Sequence, residues 1–149
     1  MPTPQTPRIV MIGATGAVGQ HCASTLAAHP THPALTLLGR RAADVTGEGV
    51  QQHIVDVEDP VTYRAHLKHH TAAICTVGVG EPSKVGKETF VRIDKTLVLR
   101  FATACKQAGV THFLLLSSVA VSAGSSSFYL RTKGELEDGL RALGFDRLS

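Results

Sequence analysis

The chain lacks most of what would send it to a membrane, a nucleic acid or an oxidising compartment. None of its apolar runs approaches the roughly 18 residues that a spanning helix needs, so no membrane segment is expected. Residues 1–7 are rich in proline and threonine, carry no apolar run, and are expected to be flexible and not a secretory leader. Only three cysteines occur, Cys22, Cys75 and Cys105. Their odd number, wide spacing and apolar neighbours exclude a disulfide framework and a zinc site, and predict reduced core thiols in a cytoplasmic protein. The net charge of +3 is scattered, with no basic tract interleaved with aromatics. That argues against nucleic-acid or membrane-surface binding and leaves a small molecule as the expected anionic partner.

What is there suits one globular domain over residues 1–149, with 43% hydrophobic and 18% charged residues and no internal repeat or linker. Residues 8–12 form an apolar run that stops at Gly13, and helical composition follows over 19–28. Further strands are expected at 34–38, at 53–55 ending at Asp56, at 72–77 and at 112–116. Helices are expected from Pro60 to His69, from Glu88 to Gln107 with Gly109 as the stop, and from Ser127 to Leu143. Strands that alternate with helices and read as continuous apolar runs indicate a doubly wound α/β fold with a parallel sheet. The last residues, 145–149, look like the approach to a sixth strand. The sheet is therefore expected to be incomplete at its C-terminal side, with the fifth strand exposed unless a homodimer or another protein covers that edge.

The loop Gly13-Ala14-Thr15-Gly16-Ala17-Val18-Gly19 joins the first strand to the first helix, where backbone amides and a helix N-terminus can hold a pyrophosphate. Gly13 suits a tight turn, Gly16 close approach of phosphate, and Gly19 close packing of helix on strand. A dinucleotide site that takes NAD usually has an acid at the end of the second strand, on the adenosine ribose. Gly39-Arg40-Arg41 stands there instead, and a guanidinium pairs with a 2′-phosphate that a carboxylate would repel. NADP(H) is therefore favoured over NAD(H). Asp56 is placed to accept a hydrogen bond from the adenine amino group, and a turn residue is the other reading of it. Thr76, Val77 and Gly78 end the fourth strand where small residues would let the backbone pass the nicotinamide ribose. The loop from Gly80 to Lys87 has the wrong spacing for a nucleotide-triphosphate loop, and Glu88 replaces the magnesium-binding hydroxyl. His66, His69 and His70 have no further ligand nearby; a helix C-terminus explains them better than a metal site, and no metal is expected.

Tyr129 and Lys133 are four apart, on one face of the expected last helix. A lysine charge held there would ease proton exchange between the phenol and a substrate oxygen. With two tyrosines and six lysines in 149 residues, such a pair arises by chance roughly one time in twelve, so its setting matters. Ser117-Ser118 ends the fifth strand on the same sheet edge as the glycine loop. Ser118 is the candidate hydroxyl for orienting a carbonyl, and Ser117 reads as a cap or turn residue.

Together, Thr15-Gly16, the serine pair, Tyr129 and Lys133 resemble the short-chain dehydrogenase/reductase superfamily. Gly39-Arg40-Arg41, Phe90 to Asp94, His112-Phe113, Leu115 to Ser118, and Tyr129-Leu130 with Lys133-Gly134-Glu135 are similar to its atypical, Tat-interacting-protein type of NADPH-binding oxidoreductase. The resemblance implies a Rossmann NAD(P)-binding fold, with NADPH on Gly13, Thr15, Gly16, Ala17, Val18, Gly19, Arg40 and Arg41. It also implies Ser118, Tyr129 and Lys133 as the catalytic set, the last two touching the cofactor as well, and a carbonyl or alcohol substrate. Asp94 stands where many members carry a proton-relaying asparagine. The segment that builds the substrate pocket in such proteins lies beyond residue 149, which leaves a second function class open: a non-catalytic NADPH sensor, or an inactive fragment.

Overall fold

The computed structural model describes residues 5–149; what is expected of residues 1–4 lies outside the described residues. Strand β1 (Arg8–Ile12) shows how the sheet forms, because Ile9, Val10, Met11 and Ile12 are all buried. Alternate side chains go to opposite faces. Val10 and Ile12 join a core with Phe101 and Phe113, while Ile9 and Met11 join a second core with Ala23, Leu35 and Leu37. A strand buried on both sides needs helices on both sides. Helix α1 (Ala17–Ala27) covers one face, whereas α3 (Leu97–Gln107) and α4 (Phe128–Ala142) cover the other. Phe101 and Phe113, fully buried with ring centroids 5.9 Å apart, lock α3 to the sheet. Truncating either to alanine costs about 3–5 kcal/mol.

The remaining strands are β2 (Ala34–Gly39), β3 (Val50–Ile54), β4 (Ala72–Cys75), β5 (His112–Leu115) and β6 (Arg147–Leu148). The sheet is wholly parallel in the order β3-β2-β1-β4-β5-β6. This is the doubly wound Rossmann arrangement. Its chain winds outward from β1 to β3, crosses back to β4, and opens a crevice beyond the strand ends at that reversal.

Four expectations change. The third strand begins at Val50, three residues ahead of its expected start at 53, because Gln51, Gln52 and His53 pair with Thr36, Leu37 and Leu38 along a partly exposed sheet edge that admits polar side chains. The helix expected from Pro60 to His69 is two 3₁₀ turns, Pro60–Thr62 and Arg64–Leu67. Tyr63 between them is fully buried and edge-on to Phe101, and anchoring it takes the backbone off a helical path. The helix after β4 is not uniform: α2 (Lys87–Val91) passes through a π turn, Arg92–Thr96, into α3. Finally, the edge of β5 is not bare. Arg147 and Leu148 pair with His112 and Phe113, and Leu115 N–H donates to the Ser149 carbonyl at 2.8 Å.

The histidines do gather at a helix end, that of the 3₁₀ turn Arg64–Leu67: His66 lies in its last turn, and His70 meets the carbonyl of its final residue. His53 and His66 stack with ring centroids 3.8 Å apart, and His69 has φ +67°. His70 is buried between the Leu67 carbonyl (3.0 Å from Nδ1) and Thr36 Oγ1 (2.8 Å from Nε2). A carbonyl only accepts, so Nδ1 carries the proton and Nε2 of the neutral ring accepts from the hydroxyl. Burial lowers the His70 pKa. Burial also raises the thiols of Cys75, to about 12, and of Cys105. Among the described residues no helix is long and apolar enough to cross a membrane, and no three His, Cys, Asp or Glu side chains stand together for a metal.

Candidate functional site: a glycine-walled crevice and a buried lysine

The loop after β1 is shaped by what its glycines lack. Gly13 has φ +95°, a region L side chains rarely adopt. A Cβ there would stand only 2.8 and 2.9 Å from the backbone of Thr76 and Val77. At Gly19 a Cβ would collide with the Gly13 carbonyl, so that glycine lets α1 lie against the end of β1. Thr76 Oγ1 donates to the same carbonyl at 3.1 Å and ties the end of β4 to the loop.

Gly16 differs. A Cβ on it would meet only the Gly13 carbonyl, at an ordinary 3.5 Å, so no protein contact demands glycine there. Gly16 caps α1 without a side-chain bond to the first helical amides. Amides free of a side-chain cap, and room above them, fit the pyrophosphate of a dinucleotide.

Above this loop lies a crevice of about 570 Å³. Gly13, Thr15 and Gly16 form one part of its wall, Gly39, Arg40 and Arg41 another, and Thr76, Val77 and Gly78 a third. Both arginines are exposed, and among the described residues neither makes an ion pair. Several wall residues were not singled out from sequence: Ala14, Leu37, Leu38, Ala43, Gln52, Val57, Glu58, Ile93 and Leu97. Ala17, Val18 and Gly19 belong to the first turn of α1 and Asp56 to a turn; none of the four lines the crevice. The Asp56 carboxylate is exposed and accepts from Glu58 N–H at 3.0 Å, the arrangement of a turn-forming aspartate.

The second half of the site comes from β5 and α4. Ser118 Oγ and Tyr129 Oη lie 2.8 Å apart across eleven residues of sequence. The Tyr129 ring packs on Phe90 with centroids 5.2 Å apart. Ser117 points elsewhere and donates to Glu137 Oε1 at 2.8 Å, fastening the end of β5 to α4. Ser127 starts α4 by accepting from Leu130 N–H at 3.4 Å. One turn beyond Tyr129, the helix presses on the Ser122–Ala123 backbone, where a Cβ on Gly134 would collide. Thr132, Lys133 and Gly134 are thereby buried.

Lys133 does not stand alone. Its Nζ is 3.7 Å from Asp94 Oδ1, and the two side chains are 5% and 6% exposed. The π turn inserts an extra residue into the helical ladder and is where Asp94 enters the interior; such turns often mark functional sites. Asp94 Oδ2 also accepts from Val79 N–H at 3.0 Å, which ties the loop after β4 to the pair. Burial pushes the Asp94 carboxyl above its usual range, against the opposing pull of the Val79 amide and the Lys133 ammonium. In the sequence Asp94 stands out only as the counterpart of a relaying asparagine; its pairing with Lys133 comes from the fold.

Comparison with known proteins agrees with this geometry. Protein HTATIP2 of Rattus norvegicus is 34% identical over 148 residues, covering 97% of this chain and 61% of its own length. "Protein FMP52, mitochondrial" of Meyerozyma guilliermondii is 34% identical over 142 residues, covering 94% and 61%. The chain thus spans about 61% of the length of these curated relatives. Among solved structures, MoeE5 in complex with UDP-glucose and NAD superposes with a TM-score of 0.77 at 23% identity, over 95% of this chain and 52% of its own, and shows the same fold. The fungal relatives named mitochondrial overturn the cytoplasmic location expected from the cysteines. Reduced thiols report the redox state of a compartment and not its address. The sequence matches the family described as NAD(P)H-binding over residues 13–146, and the chain belongs to that family.

Proposed function

We propose that the protein is an NADP(H)-dependent oxidoreductase of the atypical short-chain dehydrogenase/reductase type, acting on a small carbonyl or alcohol. The observation that supports this most is the 2.8 Å hydrogen bond between Ser118 and Tyr129, one helical turn from buried Lys133. Ser118 follows the C-terminal end of β5, the side of the sheet on which the crevice opens, although none of Ser118, Tyr129 and Lys133 lines the crevice itself. A nicotinamide cofactor supplies or takes up the hydride when bound. Gly13, Thr15, Gly16 and the first turn of α1, from Ala17 to Gly19, hold the pyrophosphate. Arg40 and Arg41 pair with the 2′-phosphate, which explains why no acid ends β2. Thr76, Val77 and Gly78 would border the nicotinamide ribose, and Asp56, whose Oδ1 is held in a turn, would offer its other carboxylate oxygen to the adenine amino group.

Tyr129 Oη gives a proton to the substrate oxygen during reduction and takes one during oxidation. Ser118 Oγ orients that oxygen, and its contact with Tyr129 preorganises both hydroxyls before substrate arrives. Lys133 supports the phenol and the cofactor ribose, and Asp94 holds the ammonium in place. Tyr129→Phe is expected to abolish carbonyl-dependent NADPH oxidation while NADPH affinity stays within about threefold, since a hydroxyl contributes modestly to binding. Unchanged turnover in that variant would refute the mechanism.

One observation favours a second reading, a non-catalytic NADPH sensor: the Lys133 ammonium is already engaged by Asp94. A panel of carbonyl compounds followed by NADPH absorbance separates the two. Measurable NADPH binding without oxidation by any compound supports the sensor.

A further inference from the structure

Gln52 lies on the edge strand β3, opposite Leu37 of β2, where an amide side chain could simply face water. It turns instead to the segment that follows the two arginines. Its Oε1 accepts from Ala43 N–H at 2.8 Å, and its Nε2 donates to the carbonyls of Ala43 at 2.9 Å and Val45 at 3.1 Å. One side chain therefore satisfies both backbone groups of Ala43, as a neighbouring strand would, and both amide protons are used. The three partners also fix which end of the amide is oxygen. Ala43 and Val45 are buried in the core beside Leu35 and Leu37, so the far end of the segment is anchored. Between the last residue of β2, Gly39, and this anchor stand only Arg40, Arg41 and Ala42.

That span has no regular structure of its own, and the arginines on it are exposed. Long side chains on a mobile backbone lose more freedom on gripping a phosphate than the same side chains on a fixed one. Gln52, Ala43, Arg40 and Arg41 all border the crevice. We infer that Gln52 is a specificity-determining positioning residue, which selects a 2′-phosphorylated dinucleotide by clamping the Arg40–Arg41 segment at Ala43 and not by touching the phosphate. The inference rests on the NADP(H) reading above.

The test is the ratio of NADPH to NADH affinity, measured by direct titration of the intact chain, in the parent, in Gln52→Met and in an Arg40→Ala/Arg41→Ala pair with and without Gln52→Met. The expected result is a parent that prefers NADPH and a Gln52→Met variant whose ratio falls by about three- to tenfold. In the background without the arginines, Gln52→Met should not lower the ratio further, because the effect runs through them. A purely structural role would weaken both nucleotides alike and leave the ratio where it was. Hydrogen exchange at the Ala43 amide supplies the second readout, with faster exchange expected in the variant. Should Gln52→Met not fold, Gln52→Asn, one methylene too short to span Ala43 and Val45 together, serves for the same ratio. A parent that prefers NADPH and a variant with an unaltered ratio overturn the role of Gln52 alone. A parent without preference overturns the NADP(H) reading and this inference together.

Discussion

Around the crevice, Gly13, Gly16 and Gly19 act by having no side chain; around Tyr129, the site is made of side chains that meet from distant segments. Ser118 and Tyr129 are eleven residues apart, and Lys133 meets an Asp94 that precedes it by 39 residues, from the helix before β5. The first region depends on the space that its glycines leave where strand ends converge, and the second on the pairing of side chains. They therefore differ in how they break. A change at the glycines alters the shape of a loop, whereas a change at Lys133 or Asp94 leaves a charge buried without its partner.

Lys133→Met should show the largest effect, a loss of about 3–5 kcal/mol in denaturant unfolding, because it strands the Asp94 carboxylate in the interior. The sign of its pH dependence follows from Asp94. A carboxyl whose folded pKa is raised contributes stability below its unfolded pKa and loses it as pH rises through the folded one. The deficit of the variant should therefore shrink as pH falls toward 4, where about half of ordinary carboxyls are protonated. Gly19→Ala comes next, at about 1–3 kcal/mol, since the added methyl pushes α1 off the Gly13 carbonyl. Equal stability of that variant and the parent would show that the loop is not held as described.

A smaller effect belongs to neither site and serves as their control. Buried His70 has a lowered pKa, so its contribution to stability is full above its ordinary value of 6.5 and is lost as pH falls toward the folded one. The parent should lose stability between pH 7 and 5, and His70→Gln should lose less over the same interval in equilibrium denaturation. Tyr63→Phe reverses the sign. The Tyr63 hydroxyl is buried with no hydrogen-bond partner among the described residues. Removing it should raise stability by about 1 kcal/mol, read as a higher melting temperature.

The same division explains what could be read from the sequence. The run of Ile9 to Ile12, closed by Gly13, carries its strand and its turn in four apolar residues and a glycine, and so marks one wall of the crevice. Strand β3 was harder, because at an edge Gln51, Gln52 and His53 are as acceptable as valine. The segment from Pro60 to His69 has helical composition and still forms 3₁₀ turns, since burial of Tyr63 outweighs local propensity. Tyr129 and Lys133 were visible through their four-residue spacing. The partner of Lys133 was not, because 39 residues separate it from Asp94 and their meeting depends on a π turn and on α4 packing against Ser122 and Ala123. Gln52 was missed for the same reason: its three hydrogen bonds cross between a strand and a loop.

The claim on which the rest depends is that the crevice between β1 and β4 holds the pyrophosphate of NADP(H). Gly16→Ser tests it most directly, because serine caps a helix slightly better than glycine and no protein atom crowds that position. The measurement is NADPH titration of the variant beside its melting temperature. The account predicts a melting temperature equal to or slightly above the parent's, together with a loss of NADPH affinity of about tenfold or more as the hydroxyl takes the helix amides from the phosphate. NADPH bound as tightly as by the parent would contradict it.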